Sequence, residues 1–153
     1  MQLWPYCSFE VETAHSTEEC IALLNSEIEP NKWSGSHKIF QGVVSAAGFK
    51  MTRIIHYRNS FLPTIYGSFR SSFPGTVVVI KMKMSPLITA FMCFWFGFVG
   101  FALIVSIIGS KPGMALVPLC MLLFGWALEN GGFWFEVKRV KLVLKNLLSA
   151  NVL

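Results

Sequence analysis

Two arginines, a histidine and two tyrosines fall within residues 53–69, RIIHYRNSFLPTIYGSF, in a chain otherwise sparing with polar groups. Guanidinium, imidazole and phenol groups together can hold an anion: Arg53, His56 and Arg58 offer charge-assisted hydrogen bonds, and Tyr57 and Tyr66 add hydroxyl donors. If residues 49–58 form one strand, Phe49, Met51, Arg53, Ile55 and Tyr57 share a face, while Lys50, Thr52, Ile54, His56 and Arg58 share the other. The first face is the apolar one. Arg53 on it must find a carboxylate, carbonyls or an anionic ligand, because an unpaired buried charge costs several kcal/mol. Glu10 or Glu12 is the expected ion-pair partner, with a bound anion as the competing use. On the second face Lys50, His56 and Arg58 are expected to join Lys81 and Lys83 in a basic stripe suited to lipid headgroups or a phosphorylated ligand. Gly67 suggests a bulge or a close backbone approach, and Asn59 a turn.

Groups for catalysis are scarce. The chain has no aspartate, and all eight acids are glutamates. No P-loop, nucleophile elbow, HExxH or dinucleotide fingerprint occurs, so the reading is of a protein that is not an enzyme, with no catalytic residues and no cofactor. Cys7, His15, Cys20 and His37 match no zinc spacing, and no metal site is expected.

These side chains need elements to position them. Residues 6–13 read as a strand, and Ser16-Thr17-Glu18-Glu19 as a capping box opening a helix with the stripe Ile21, Leu24, Ile28, stopped by Pro30. Strand-like runs follow at 38–44, 49–58, 62–71 and 76–84, with Asn59-Ser60 and Pro74-Gly75 as turns. Short links favour an antiparallel meander of about five strands, an open sheet or partial barrel with one covering helix, whose open edge could pair with a neighbouring subunit.

The rest of the chain is strongly apolar. Residues 86–108 carry no charge over 23 positions, enough at about 1.5 Å per residue to cross a hydrocarbon core of about 30 Å. A second run at 113–129, extended by Trp126 and residues 133–135, returns after the loop that carries Lys111. The pair reads as a transmembrane helical hairpin. Beyond it, EVKRVKLVLKNLL at 136–148 reads as a separate basic amphipathic helix, lying on the inner leaflet or covering the sheet. The expected fold class is thus an α+β membrane protein: a soluble-side α+β domain at 1–84, the hairpin at 85–130 and the amphipathic helix at 131–153. A mean hydropathy of +0.56 and 14% charged residues, against roughly a quarter in soluble domains, agree with membrane residence.

Orientation follows from the basic residues. Eight of the 13 precede the apolar runs, four follow them and Lys111 lies between. Lys81, Lys83, Lys138, Arg139 and Lys141 are the expected membrane-surface residues and place both termini in the cytoplasm, at a bacterial inner membrane. This topology accounts for much of the net charge of +5, so nucleic acid is not an expected partner. The expected partners are membrane lipid and an anionic small molecule, with a second copy or a membrane protein as a further one.

The run FQGVVSAAGFKMTRIIHYRNSFLPTIYGSF, the Gly75-Thr76 pair and LLFGWALENGGFWFE together resemble a family of short bacterial two-span membrane proteins with an N-terminal β domain and no established function. The resemblance covers most of the chain and supplies no site residues. In architecture alone the chain is similar to membrane-anchored β-barrel effectors of cyclic-oligonucleotide phage defence, whose helices precede the barrel rather than follow it. What is expected of the protein is a sensor or effector that couples an anionic ligand to helix packing, or alternatively an accessory subunit of a membrane complex.

Overall fold

The computed structural model describes residues 5–29, 38–109 and 112–149. Pro30, Lys32, His37 and Lys111 lie outside them. Six strands and three helices follow one another as β1 (Tyr6–Thr13), α1 (Thr17–Glu27), β2 (Ile28–Glu29), β3 (Phe40–Ser45), β4 (Gly48–Arg53), β5 (Thr64–Ser72), β6 (Gly75–Lys83), α2 (Pro86–Ile108) and α3 (Pro112–Ser149).

The capping box forms. The Ser16 amide donates to Glu19 Oε2 at 2.8 Å and the Glu19 amide donates to Ser16 Oγ at 3.2 Å, which satisfies two of the free amides at the start of α1. The buried stripe of α1 is Cys20 and Leu24, continued by Ile28, rather than one beginning at Ile21.

The expected fold class needs correction in two places. The sheet has six strands in the order β1-β6-β5-β4-β3-β2, and it is mixed rather than a five-strand meander. Strands β3 to β6 do form an antiparallel meander, but β2 lies parallel to β3, pairing Ile28 with Phe40.

The second correction concerns the C-terminus. No break separates the second apolar run from the amphipathic segment: α3 is one helix of 38 residues, about 57 Å long at about 1.5 Å per residue. Two glycines in a helix cost about 1 kcal/mol each relative to alanine, yet Gly131 and Gly132 do not end it. Immediately beyond them Phe133, Val137, Val140, Leu144 and Leu148 are all buried, and burying such side chains contributes about 1.5–3 kcal/mol apiece. The downstream gain therefore outweighs the local cost.

The second half of α3 lies on one face of the sheet. Register puts Phe9, Ile80, Gly67, Phe49 and Val44 in one cross-strand row, and Cys7, Met82, Ile65, Met51 and Gly42 in the next. These rows meet α1 and α3 to form the core. Gly67 is neither a bulge nor an open space: the Phe49 ring covers it, and a Cβ there would come within 2.0 Å of that ring. At the far end of the sheet the Thr13 hydroxyl donates to the Leu148 carbonyl at 2.8 Å, fixing the last turn of α3.

Helix α2 and the first half of α3 differ from this core. Phe94, Phe98, Phe101, Ile108, Leu116, Leu123 and Phe124 are all exposed. By length and composition, α2 and α3 are both able to cross a membrane.

Candidate functional site

Strand β4 ends at Arg53, and one further bond in the β3–β4 register, from the Ile54 amide to the Ile39 carbonyl at 2.9 Å, closes the pair. The pleat expected to run to residue 58 therefore stops five residues early. Residues 54–63 form a connection in place of a tight turn at Asn59-Ser60. His56 and Arg58 lie exposed in it and are not on the sheet face of Lys50.

Arg53 does point inward. Its Nη1 donates to Glu136 Oε2 at 3.0 Å, and the Tyr57 hydroxyl donates to Glu136 Oε1. The expected partners Glu10 and Glu12 are exposed on the opposite face of β1, because alternation along the strand sends Phe9 and Val11 to the core. Glu136 is 0% exposed and Arg53 about a fifth exposed, so this is a buried carboxylate held by a guanidinium at the edge of the core. Arg53 Nε has no hydrogen-bond partner among the described residues. Partial desolvation, and then the hydrogen bond to Glu136 and the charge of that carboxylate, push the Tyr57 phenol above its usual range. The hydroxyl thus stays protonated and keeps donating.

Asn59 pins the connection to the same helix. Its Nδ2 donates to the Gly132 carbonyl at 3.0 Å, and its Oδ1 accepts from the Phe61 amide at 3.0 Å, an Asx turn. A Cβ on Gly132 would sit 2.9 Å from the Phe61 ring and 3.1 Å from Asn59 Oδ1, so glycine is what lets the connection approach. Residues 132–136 of α3 thereby receive three contacts from residues 53–61.

The opposite face of the sheet carries the other basic groups. Register aligns Ser8, Lys81, Tyr66, Lys50 and Val43 across five strands, with Tyr6, Lys83, Thr64, Thr52 and Gln41 in the next row. Tyr66 therefore stands between Lys81 and Lys50, each one strand spacing of about 4.8 Å away. The Lys50 ammonium lies 5.7 Å from the Tyr66 ring centre and that of Lys83 6.0 Å from Tyr6. A groove of about 700 Å³ opens at the end of this band, where β6 passes into α2, between Tyr6, Lys83, Pro86 and Thr89.

The five expected ligand residues accordingly divide. Arg53 and Tyr57 hold Glu136, His56 and Arg58 lie exposed in the 54–63 connection, and Tyr66 belongs to the outer band with Lys50 and Lys81. Of the expected surface residues on α3, Lys138 and Arg139 are exposed and Lys141 caps the Phe9 ring at 5.0 Å.

No family model and no curated protein matches this chain. Among solved structures it is similar to the solution NMR structure of the Polyketide_cyc-like protein Cgl2372 from Corynebacterium glutamicum, at 14% identity and a TM-score of 0.33. That likeness covers 74% of this chain and 88% of the other.

Two residues that organise the site carry signals in the sequence. Glu136 lies three positions after Phe133 and four before Val140, which puts an acid on the buried stripe of a helix. Gly132 sits inside a helical pattern, where a glycine points to close packing. Burial pushes the Cys7 and Cys20 thiols up, Lys141 partly opposing the effect at Cys7 and Glu19 adding to it at Cys20. Among the described residues no three metal-ligating side chains cluster.

Proposed function

We propose that the protein is a small bacterial inner-membrane sensor, not an enzyme. In this reading its sheet domain and both termini lie on the cytoplasmic side, with α2 and the first half of α3 in the bilayer. The outer band binds an anionic group, a lipid headgroup or a phosphorylated small molecule, and the domain couples that binding to the packing of the two apolar helices. The observation that carries this reading is the continuity of α3. A single helix is packed by one half on the sheet, held there through Glu136, and is apolar all round in the other half. A displacement of the sheet is thereby a displacement of the embedded segment.

Charge along the sheet supports the orientation. Lys81 and Lys83 sit at the end that leads into α2, whereas Glu12, Glu18 and Glu19 outnumber Arg70 toward the end at the β5–β6 turn. Each basic residue close to an anionic surface contributes about 1 kcal/mol, and an acid there would oppose it.

The test is a thermal-shift titration of the full chain in detergent with phosphatidylglycerol, phosphatidylcholine, inorganic phosphate or ATP. A saturable rise with at least one anionic additive and none with phosphatidylcholine is expected, and Lys81→Glu with Lys83→Glu should remove it. Spin labels near the ends of α2 and α3 should change separation with the same dose. A double variant that responds like the parent chain would falsify the reading.

A second reading as an accessory subunit has its own observation: Phe135 and Leu142, seven residues apart, are exposed on the part of α3 that packs on the sheet. Purification in mild detergent should then recover a stoichiometric protein partner that Leu142→Glu releases.

A further inference from the structure

A crevice of about 240 Å³ lies between α2 and α3, walled by Phe61, Phe91, Trp95, Phe124, Gly125 and Leu128, and it presents almost no polar surface. Gly125 keeps its floor low, since a Cβ there would approach the Trp95 indole nitrogen to 3.2 Å. The crevice opens on the flank where Phe91, Phe124 and Leu128 are exposed. Its lip is Phe61, fixed through Asn59 to the Gly132 carbonyl. Three and five residues before Phe61 stand Arg58 and His56, both exposed, while Glu129, next to Leu128 on α3, is buried.

The occupant must match both parts. The walls accept only hydrocarbon, and the exposed guanidinium of Arg58, three residues before the lip in the chain, favours a negative end. A helix about 10 Å across is too wide for a slot below the usual range of roughly 300–1,000 Å³ for small-molecule pockets. A single acyl chain fits it.

We propose that this crevice is a binding site for one anionic phospholipid, with an acyl chain between Trp95 and Leu128 and the phosphate against Arg58 and His56. The site is separate from the outer band and rests on the reading that α2 and the first half of α3 are embedded in a bilayer.

The full chain is placed in phosphatidylcholine nanodiscs carrying a trace of phosphatidylglycerol with a photoactivatable acyl chain, and the adducts are mapped by mass spectrometry. They should concentrate on Phe61, Trp95 and Leu128 over the more exposed Phe98 and Leu116. Filling the slot with Leu128→Trp, or independently with Gly125→Val, should lower them at least roughly tenfold, equivalent to about 1.4 kcal/mol of affinity. Arg58→Glu should erase the preference over the same probe built on phosphatidylcholine. Adducts spread evenly along both helices in a chain that stays in the disc would overturn the proposal while leaving the membrane reading intact. So would disulfide cross-linking of Leu128→Cys chains to one another, which would mean that a second copy covers the crevice. A chain that does not enter the discs at all would remove both.

Discussion

The two halves of α3 obey different rules although no break separates them. Before Gly131, large apolar residues point in every direction and most are exposed, Leu123 at 59% among them. After it, apolar residues are buried along one stripe, fully at Val140, Leu144 and Leu148, while Lys138, Arg139 and Lys145 take the outside together with Phe135 and Leu142. A helix apolar on all sides expects lipid or protein around it, and one apolar on a single stripe expects water on the rest. The lesson is that solvent preference changes along a helix whose backbone does not.

The comparison breaks most visibly at the ion pair that fixes the second half. Glu136→Ala should cost about 3–5 kcal/mol in urea unfolding followed by circular dichroism, because it strands Arg53 at the edge of the core. Adding Arg53→Met should recover much of that loss, which a merely poor helix substitution would not allow. Next comes Leu144→Ala, expected to cost about 2–5 kcal/mol where Leu123→Ala changes stability by less than about 0.5 kcal/mol. Equal losses at the two positions would erase the contrast. Gly132→Leu should cost about 1–3 kcal/mol by driving Phe61 and Asn59 away, and it should raise protease cutting in the 54–63 connection. The smallest effect is at the start of α1, where Ser16→Ala should cost about 1 kcal/mol.

Tyr57 supplies a pH test of the same join. Its folded-state pKa is raised, so its contribution is present below the unfolded phenol value of about 10 and is lost as pH rises through the folded value. Thermal stability of the parent chain should therefore fall more steeply in that alkaline window than that of Tyr57→Phe. Parallel curves would remove the phenol from the join.

Much of the sheet was legible because its signals are local. Residues 6–13 form β1 as the alternation predicts, and the capping box at Ser16 forms because both of its hydrogen bonds lie within four residues. The antiparallel pairing of β3 with β4 and of β5 with β6 follows from turn residues and short links. Arg53 stood out because alternation alone places it among Phe49 and Met51, but alternation says nothing about what comes to meet it. Glu136 is 83 residues away, and only the path of α3 across the sheet brings it there. The strand was extended past Arg53 for the same reason, since the 54–63 connection reaches α3 through Tyr57 and Asn59.

The sequence by itself determined the apolar runs, the basic flanks, the strand alternation and the presence of one inward cation, because each depends on neighbours a few residues away. The tertiary structure alone decided that α3 continues through two glycines, that Arg53 and Tyr57 converge on Glu136, and that His56 and Arg58 part from the outer band. Those outcomes depend on burial gained between segments distant in the chain, which outweighs local preferences of about 1 kcal/mol.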